Sequence, residues 1–312
     1  MNQKLNKIVF FGSGDLAAKS LKLITENFDV EAVITKAAKN SFQKELPVYD
    51  LSENLGIPTF TVLTKTDVDK VFENNSFNST VGILIDFGII INNKVINYFP
   101  KGIINSHFSI LPEWRGPDPI TFSILSGQTT TGVSLMRIVD RMNEGPLIGF
   151  KEIKISPEAT NTLLSNQLID LSNQLINYYL PDYINNTEFE IFEQNKTGRK
   201  VSYSSLLKKN DGKIDFSNNA AVIERQIRAF EIWPKSKTTL NNTDIIISKA
   251  HILELNGSPS EFFIYKNSFV GFFCKQGSIV IDELVPAGKK KMTSESYING
   301  HKEQLSDLKR IN

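Results

Sequence analysis

Short apolar runs alternate with amphipathic stretches through the first half of the chain. Residues 7–11 predict a buried strand. Gly12-Ser13-Gly14 then punctuates the chain, and a helical pattern follows over residues 15–26, with Leu16, Leu21, Leu23 and Ile24 apolar. Further strands are predicted at 30–35, 81–85, 102–105 and 132–138, and short helices at 92–98 and 119–125. Alternation of this kind predicts an α/β domain, doubly wound, with a mostly parallel sheet covered on both faces. The polar, lysine-containing stretch 36–44 reads as a loop.

The pattern then changes. Ser156-Pro157-Glu158 predicts a helix start, a capping hydroxyl followed by a proline whose missing N–H costs nothing there. Leu164, Leu168, Leu171, Leu175 and Tyr178 recur at helical spacing as a packing face, and Pro181 is expected to end the helix. Residues 187–205 are polar and read as a linker. Beyond them, short strands at 238–240, 244–247, 262–265, 270–274 and 278–283 are separated by turn signals at Asn241-Asn242 and Gly277. A small Greek-key barrel fits this all-β pattern, and such barrels often bind oligonucleotides. The expected organisation is a catalytic domain over 1–186, a linker over 187–205 and a small barrel domain over 206–312.

Composition narrows the classes. No apolar run is long enough to span a bilayer, and Lys4 and Lys7 flank no signal-peptide core, so a soluble cytoplasmic protein is expected. The one cysteine, Cys274, excludes an internal disulfide framework and a thiolate metal cluster. The net charge of +1 hides an asymmetry. Residues 1–195 hold 16 Lys+Arg and 22 Asp+Glu, a balance of −6, whereas residues 196–312 hold 19 and 12, a balance of +7. A basic tail on an acidic body suits either a polyanionic partner or a plain solvated surface.

The candidate chemistry gathers at Ile103-Ile104-Asn105-Ser106-His107. Residues two apart on a strand share a face, so the amide of Asn105 and the imidazole of His107 can address one point. The chain then breaks at Pro112, Gly116, Pro117 and Pro119. An amide donor and a titratable ring beside a rigid loop suit a carbonyl whose oxygen becomes negative. Gly12-Ser13-Gly14 imitates a dinucleotide fingerprint, but strand two ends at Thr35-Lys36 without the acidic residue that would grip a ribose. A tight turn, or a wall of a substrate groove, are the other readings. No His/Asp/Glu spacing supports a metal, and no Gly-x-Ser-x-Gly supports a serine hydrolase. The polar loop from Val139 through Asp140, Arg141, Met142, Asn143 and Glu144 to Gly145-Pro146 follows a strand, where open α/β sheets place their sites.

Asn105-x-His107 with Ser109-Ile110-Leu111-Pro112 resembles the signature of the 10-formyltetrahydrofolate-dependent formyltransferases. Trp114-Arg115-Gly116-x-x-Pro119-Ile120 narrows the likeness to the methionyl-tRNA formyltransferases. So do Phe10 to Ala18, Ile227-Arg228-Ala229-Phe230-x-x-Trp233-Pro234, and Pro286-Ala287-Gly288-Lys289-Lys290-Lys291-Met292. The resemblance covers nearly the whole chain. It implies a Rossmann-like catalytic domain, a linker and a C-terminal barrel resembling an OB-fold. The implied activity is transfer of a formyl group from the folate N10 to the amine of methionine esterified to initiator tRNA, by a monomer and without a metal.

The resemblance also implies site residues. Asn105 and His107 fall on the family's catalytic Asn and His, while Asn143 falls where the family has Asp. An amide at that position cannot accept a proton at neutral pH. A deliberate change, a natural slow or repurposed variant, and a shifted register each account for it, and Asp140, Asp118 and Glu144 lie near in sequence. The folate ring is expected against backbone from Asp86, Phe87, Gly88 and Ile89 and against Val139, Asp140 and Met142, with Ser109, Ile110, Leu111 and Pro112 shaping the pocket wall. A protonated His107 and Asn105 are expected to bind the oxyanion. Lys36, Lys39, Lys44, Lys208, Lys209, Arg225 and Arg228 are the expected tRNA contacts. A sugar-amine formyltransferase and an inactive folate- or tRNA-binding protein stay open as alternatives.

Overall fold

The computed structural model describes residues 6–38, 46–305 and 310–311. Two compact units emerge. One comprises Met1–Pro119, Thr130–Lys154 and Ser165–Ser205; the other comprises Ile120–Thr129, Ile155–Leu164 and Leu206–Asn312.

The first unit is built on seven strands, β1 (Lys7–Gly12), β2 (Asp29–Lys36), β3 (Thr59–Val62), β4 (Gly82–Ile85), β5 (Ile103–His107), β6 (Thr130–Arg137) and β7 (Leu147–Lys154). Their order is β3-β2-β1-β4-β5-β6-β7. The first five are parallel, whereas β6 runs antiparallel to β5 and β7 antiparallel to β6. Helices α1 (Gly14–Ile24), α2 (Pro47–Asn54), α3 (Lys65–Asn74), α4 (Asn93–Ile96) and most of α6 (Asn161–Asn185) belong to this unit, whereas α5 (Pro119–Ser126) falls, apart from Pro119, in the second. The chain moves outward from β1 through β2 to β3, then returns to the other side of β1 as β4. That reversal opens a crevice past the carboxyl ends of β1 and β4, the place where such sheets bind ligands.

Both central strands are buried along their length, so neither shows alternation: five of the six positions of β1 are buried, and all five of β5. Phe11 sits at the centre of an aromatic cluster, with ring centroids 5.9 Å from Phe72, 5.7 Å from Phe87 and 6.2 Å from Phe99. Helix α3 begins with a capping box: Thr64 Oγ1 accepts from the Asp67 N–H, and the Asp67 carboxylate accepts from the Thr64 N–H.

The second unit holds α7 (Ala220–Ala229), β8 (Ser236–Leu240), β9 (Thr243–Leu253), β10 (Phe262–Tyr265), β11 (Phe269–Phe273), β12 (Ser278–Pro286), β13 (Met292–Thr293), α8 (Ser294–Gly300) and β14 (Arg310–Ile311). Where a small barrel is expected, the described residues form one all-β sheet, ordered β14-β10-β11-β12-β9-β8 with β13 on β12. Its two-residue period is plain. Ile264, Phe272, Ile279 and Ile281 join a core with Ile223 and Ile227 of α7, while Phe263, Phe273 and Val280 form a separate cluster. Asn241 and Asn242 both carry positive φ, 45° and 60°, the demand of a type I′ hairpin between β8 and β9.

Several expectations are corrected. Ser156-Pro157-Glu158 makes a turn, closed by Ala159 N–H on the Ser156 carbonyl, and the helix starts at Asn161. Pro181 does not end that helix, which continues to Asn185 because Leu180 and Tyr183 on either side of it are anchored in the core. Tyr178 is not on the packing face; it is 76% exposed, and Ile176 is buried instead. The segment 187–205 is polar yet pinned to the first unit: Phe192 pairs with Leu147, and Gln194 is buried.

Phe11→Ala should lower unfolding stability by about 3–5 kcal/mol through the cavity left in this cluster. Tyr178→Ala should change it by less than about 0.5 kcal/mol. Urea denaturation of both variants checks the contrast.

Candidate active site

Strand β5 ends at the crevice and delivers Asn105 and His107 from one face, both buried. His107 Nε2 lies 3.0 Å from the carbonyl oxygen of Trp114. A carbonyl has no proton to give, so Nε2 carries the hydrogen and Nδ1 keeps its lone pair. Burial pushes the imidazole down from 6.5 to about 4, against the smaller opposing pull of that carbonyl. The resting ring is therefore neutral. This corrects the protonated His107 expected from sequence, and the reason is that no carboxylate supports the charge.

The loop after β5 is fixed from below. Ser134 Oγ on β6 donates to the Ser109 carbonyl at 2.8 Å and accepts from the Leu111 N–H at 3.0 Å. Ser109 Oγ donates to the Glu113 carbonyl at 2.5 Å. Trp114, at φ 53°, turns the chain so that its carbonyl faces His107.

Asn143 also has a left-handed backbone, φ 55°, a conformation that Asn tolerates better than most residues. Its Oδ1 lies 3.5 Å from Asn105 Nδ2, and its Nδ2 donates to the Gly116 carbonyl at 3.3 Å. The structure thus brings Asn105, Asn143 and the loop after His107 together. Gln194 holds the Asn143 loop: its Nε2 donates to the carbonyls of Asn143 and Gly145, each at 2.8 Å. Its Oε1 accepts from Arg115 Nε and Nη2 at 3.2 and 2.8 Å, and Arg115 Nη1 pairs with Glu144 at 3.1 Å.

On the opposite side of the crevice, the Ser13 N–H donates to the Asp86 carbonyl at 3.0 Å, and Ser13 Oγ accepts from the Lys36 N–H at 3.1 Å. The Gly-Ser-Gly turn therefore ties β1, β2 and β4 together, and the Ser13 N–H is already engaged within the protein. Asp86 stands just past β4 at φ 48°. The residue is exposed, yet protein packed around its carboxyl pushes the pKa up to about 7; Lys36 pulls it down and Asp118 adds to the rise.

An amide pair and a positioned neutral imidazole at the end of β5 now stand next to a strand, β4, whose end carries a carboxyl titrating near neutrality. Such an arrangement can bind an oxyanion and move protons at a carbonyl centre. Comparison with known proteins decides the family. Residues 6–179 match the formyl transferase model and residues 206–302 match the formyl transferase C-terminal domain. The chain belongs to the formyl transferase family. It is 29% identical over 300 residues to methionyl-tRNA formyltransferase of Myxococcus xanthus, covering 95% of each chain. It is 27% identical over 307 residues to that of Staphylococcus epidermidis, covering 96% of this chain and 98% of the other. Among solved structures, an N-formyltransferase from Helicobacter canadensis, in complex with folinic acid and dTDP-3-aminofucose, superimposes with a TM-score of 0.65 at 22% identity, covering 88% of this chain and 98% of that one. HypX from Aquifex aeolicus in complex with tetrahydrofolic acid gives 0.66 at 13% identity; the alignment covers 99% of this chain and 49% of HypX. These two show the fold.

The other expected residues scatter more widely. Phe87, Ser109, Ile110 and Leu111 are buried, and Ser134 holds the backbone of Ser109 and Leu111. Gly88 and Ile89 follow Asp86 at the rim, and Lys36 Nζ lies over Gly88. Val139, Asp140 and Met142 are exposed on the loop before Asn143. Glu144 is committed to Arg115 and Arg141, which removes it as a stand-in carboxylate. Lys39 and Lys44 lie outside the described residues. Lys208 and Lys209 are exposed. Arg225 donates to the Leu125 carbonyl at 3.1 Å, and Arg228 grips Glu224 at 2.6 and 2.9 Å and the Ala159 carbonyl at 2.7 Å. Arg228 is thereby occupied within its own unit, contrary to a free phosphate-contacting role. Sequence reasoning missed Gln194, hidden in a polar stretch, and the carboxyl of Asp86. The signal for Asp86 was an acid within the otherwise apolar Ile83-Leu84-Ile85-Asp86-Phe87. Among the described residues no group of His, Cys, Asp and Glu could hold a metal, and no helix is long and apolar enough to cross a membrane.

The two shifted groups impose opposite pH dependences on stability. Folded Asp86 holds a proton that the unfolded chain releases, so its contribution is full below about pH 4 and is lost as pH rises through about 7. Folded His107 resists a proton that the unfolded chain takes up, so its contribution is full above pH 6.5 and is lost as pH falls toward about 4. Asp86→Asn should therefore remove the Asp86 slope and keep that of His107. The variant's urea midpoint should rise relative to the wild type between pH 4.5 and pH 7.5.

Proposed function

We propose that the chain transfers a formyl group from 10-formyltetrahydrofolate to the α-amino group of methionyl initiator tRNA. The observation that carries this reading is likeness across both units, catalytic and C-terminal, to proteins named methionyl-tRNA formyltransferase. The crevice chemistry supports it. Ile90, four residues after Asp86, and Val139 and Met142, on the loop that leads to Asn143, expose apolar side chains of the kind a flat aromatic co-substrate would require. A cytoplasmic location and a monomer accord with this role, and residues from 206 onward serve as the OB-fold-like tRNA-holding part.

The esterified amine, less basic than that of a free amino acid, attacks the formyl carbon as its neutral form. The Asn105 amide donates to the growing oxyanion; one such donor contributes about 2.7–4 kcal/mol to transition-state stabilisation. Asn143, bonded to both Asn105 and the Gly116 carbonyl, orients the Asn105 amide. His107 accepts the proton that the attacking nitrogen sheds, through Nδ1. As an imidazolium beside the new anion it is stabilised for the instant it exists, then returns the proton to the folate nitrogen as the carbon–nitrogen bond breaks.

The deciding experiment supplies methionyl initiator tRNA and 10-formyltetrahydrofolate to the purified chain and measures formylmethionine. Formylation of a nucleotide-linked amino sugar instead, or of neither acceptor, would overturn the reading. His107→Gln should lower kcat by about 10²–10⁴-fold with little change in tRNA affinity.

The C-terminal role has its own check. Replacing Lys208 and Lys209 together with Gln should lower the slope of log affinity for tRNA against log salt by up to about two, roughly one for each lost phosphate contact. Arg228→Gln should leave the slope unchanged and lower the melting temperature.

A further inference from the structure

The crevice lacks a carboxylate at position 143, yet it carries one elsewhere. Strands β4 and β5 are parallel with Leu84 opposite Asn105. β4 ends at Ile85 and β5 at His107, so Asp86 and His107 stand at the carboxyl ends of two adjacent strands. The turn after β4 lifts Asp86 to the mouth of the crevice, where its Oδ2 lies 3.5 Å from the position a Cβ on Gly14 would occupy. Lys36 from the end of β2 and Asp118 from the loop before α5 act on this carboxyl. Asp118 is two residues beyond Gly116, whose carbonyl binds Asn143.

Resting on the formyl-transfer reading, we propose that Asp86 is a catalytic residue, the base that receives the first proton of the acceptor's α-ammonium group in place of the carboxylate absent at position 143. The balance is simple. A protonated aminoacyl ester binds with its ammonium on the Asp86 carboxylate. One N–H bond breaks, the proton passes to Asp86, and the nitrogen lone pair becomes free. That pair forms the new bond to the formyl carbon while the carbonyl electrons move to oxygen. The second proton leaves the nitrogen through His107 and ends on the folate nitrogen as its bond to the formyl carbon breaks. The proton on Asp86 is released to solvent.

The energetics agree with the placement. An ordinary α-amino group titrates at about 7.7–8.0, and esterification lowers that value. The Asp86 carboxyl titrates at about 7. Proton exchange between groups so closely matched has little uphill cost. Asn143 can hold the amine by a hydrogen bond but cannot remove its proton. Lys36 keeps a working fraction of Asp86 ionised at neutral pH, against the protein packed around it and the charge on Asp118.

The test compares wild type, Asp86→Asn, Lys36→Gln and the double variant Asp86→Asn/Asn143→Asp in single-turnover formylation of methionyl initiator tRNA at pH 6.5 and pH 8.5. Asn suits the left-handed backbone at position 86, φ 48°, so Asp86→Asn is expected to fold. Its rate should fall about tenfold at pH 6.5, where most of the amine is protonated, and by less than about twofold at pH 8.5, where most of it is neutral. The double variant should recover most of the loss at pH 6.5. Lys36→Gln, which leaves Asp86 in place, should move the acidic limb of the rate profile to higher pH and decides the matter if Asp86→Asn proves unstable. Equal rates for Asp86→Asn and wild type at both pH values, equal losses at both, or an unmoved limb in Lys36→Gln would overturn the proposal while leaving the formyl-transfer reading intact. A wild-type chain that forms no formylmethionine at either pH would overturn both.

Discussion

The hydrogen bond from His107 Nε2 to the Trp114 carbonyl sets the terms for the whole crevice. It fixes the ring, selects the tautomer and leaves Nδ1 as the nitrogen with a lone pair. Because the partner is a neutral carbonyl, burial wins and the ring stays uncharged. A carboxylate brought against the ring would oppose that balance by favouring the imidazolium, at the cost of desolvating two charges together. The observed chain keeps the interior of the crevice neutral and places its carboxyl at the mouth, where Lys36 offsets part of the cost.

The geometry of that crevice depends on backbone groups held by side chains from distant segments. Gln194 spends both N–H groups on the carbonyls of Asn143 and Gly145 and its oxygen on Arg115. Arg115 then carries Glu144. The two loops that supply Trp114 and Asn143 are thereby linked through one amide, and Ser134 anchors the base of the first loop from β6. A positive φ at each of Asp86, Trp114 and Asn143 marks three irregular turns, two of which bring the Trp114 carbonyl to His107 and the Asn143 amide to Asn105.

Much of this was legible in the sequence. The parallel core was readable because β1 and β4 are built on apolar runs and β5 opens on Ile103-Ile104, and the β8–β9 hairpin because Asn-Asn accommodates its turn. The antiparallel β7 and the short β3 were not, since five exposed or half-buried positions of eight in β7 blur its alternation and β3 holds only four residues. The helix that passes through Pro181 defeats a local rule because tertiary burial of Leu180 and Tyr183 outweighs the lost backbone bond. At the site, Asn105, His107 and Asn143 were found by spacing and resemblance. The protonation state of His107 was not, because it depends on burial that no local pattern encodes. Gln194 was invisible for the same reason: a lone polar residue in a polar stretch carries no mark of the two carbonyls it will meet.

Removing the carboxylate from the Asn143 position changes what the remaining groups must do. An Asp there can orient Asn105 and exchange protons at once. Asn143 retains the first capacity, since its amide still meets Asn105 and the Gly116 carbonyl, and loses the second. A reaction that begins with a largely protonated amine and ends with a protonated folate nitrogen still requires two proton movements. His107 has one available lone pair and can serve only one of them at a time. The crevice therefore needs a second group that is ionised often enough to accept a proton and weak enough to release it between turnovers. A carboxyl near its usual acidity would bind the ammonium tightly but would be a poor proton acceptor. One raised to about 7 by its surroundings meets both requirements, and Asp86 is the carboxyl in this crevice raised to that value.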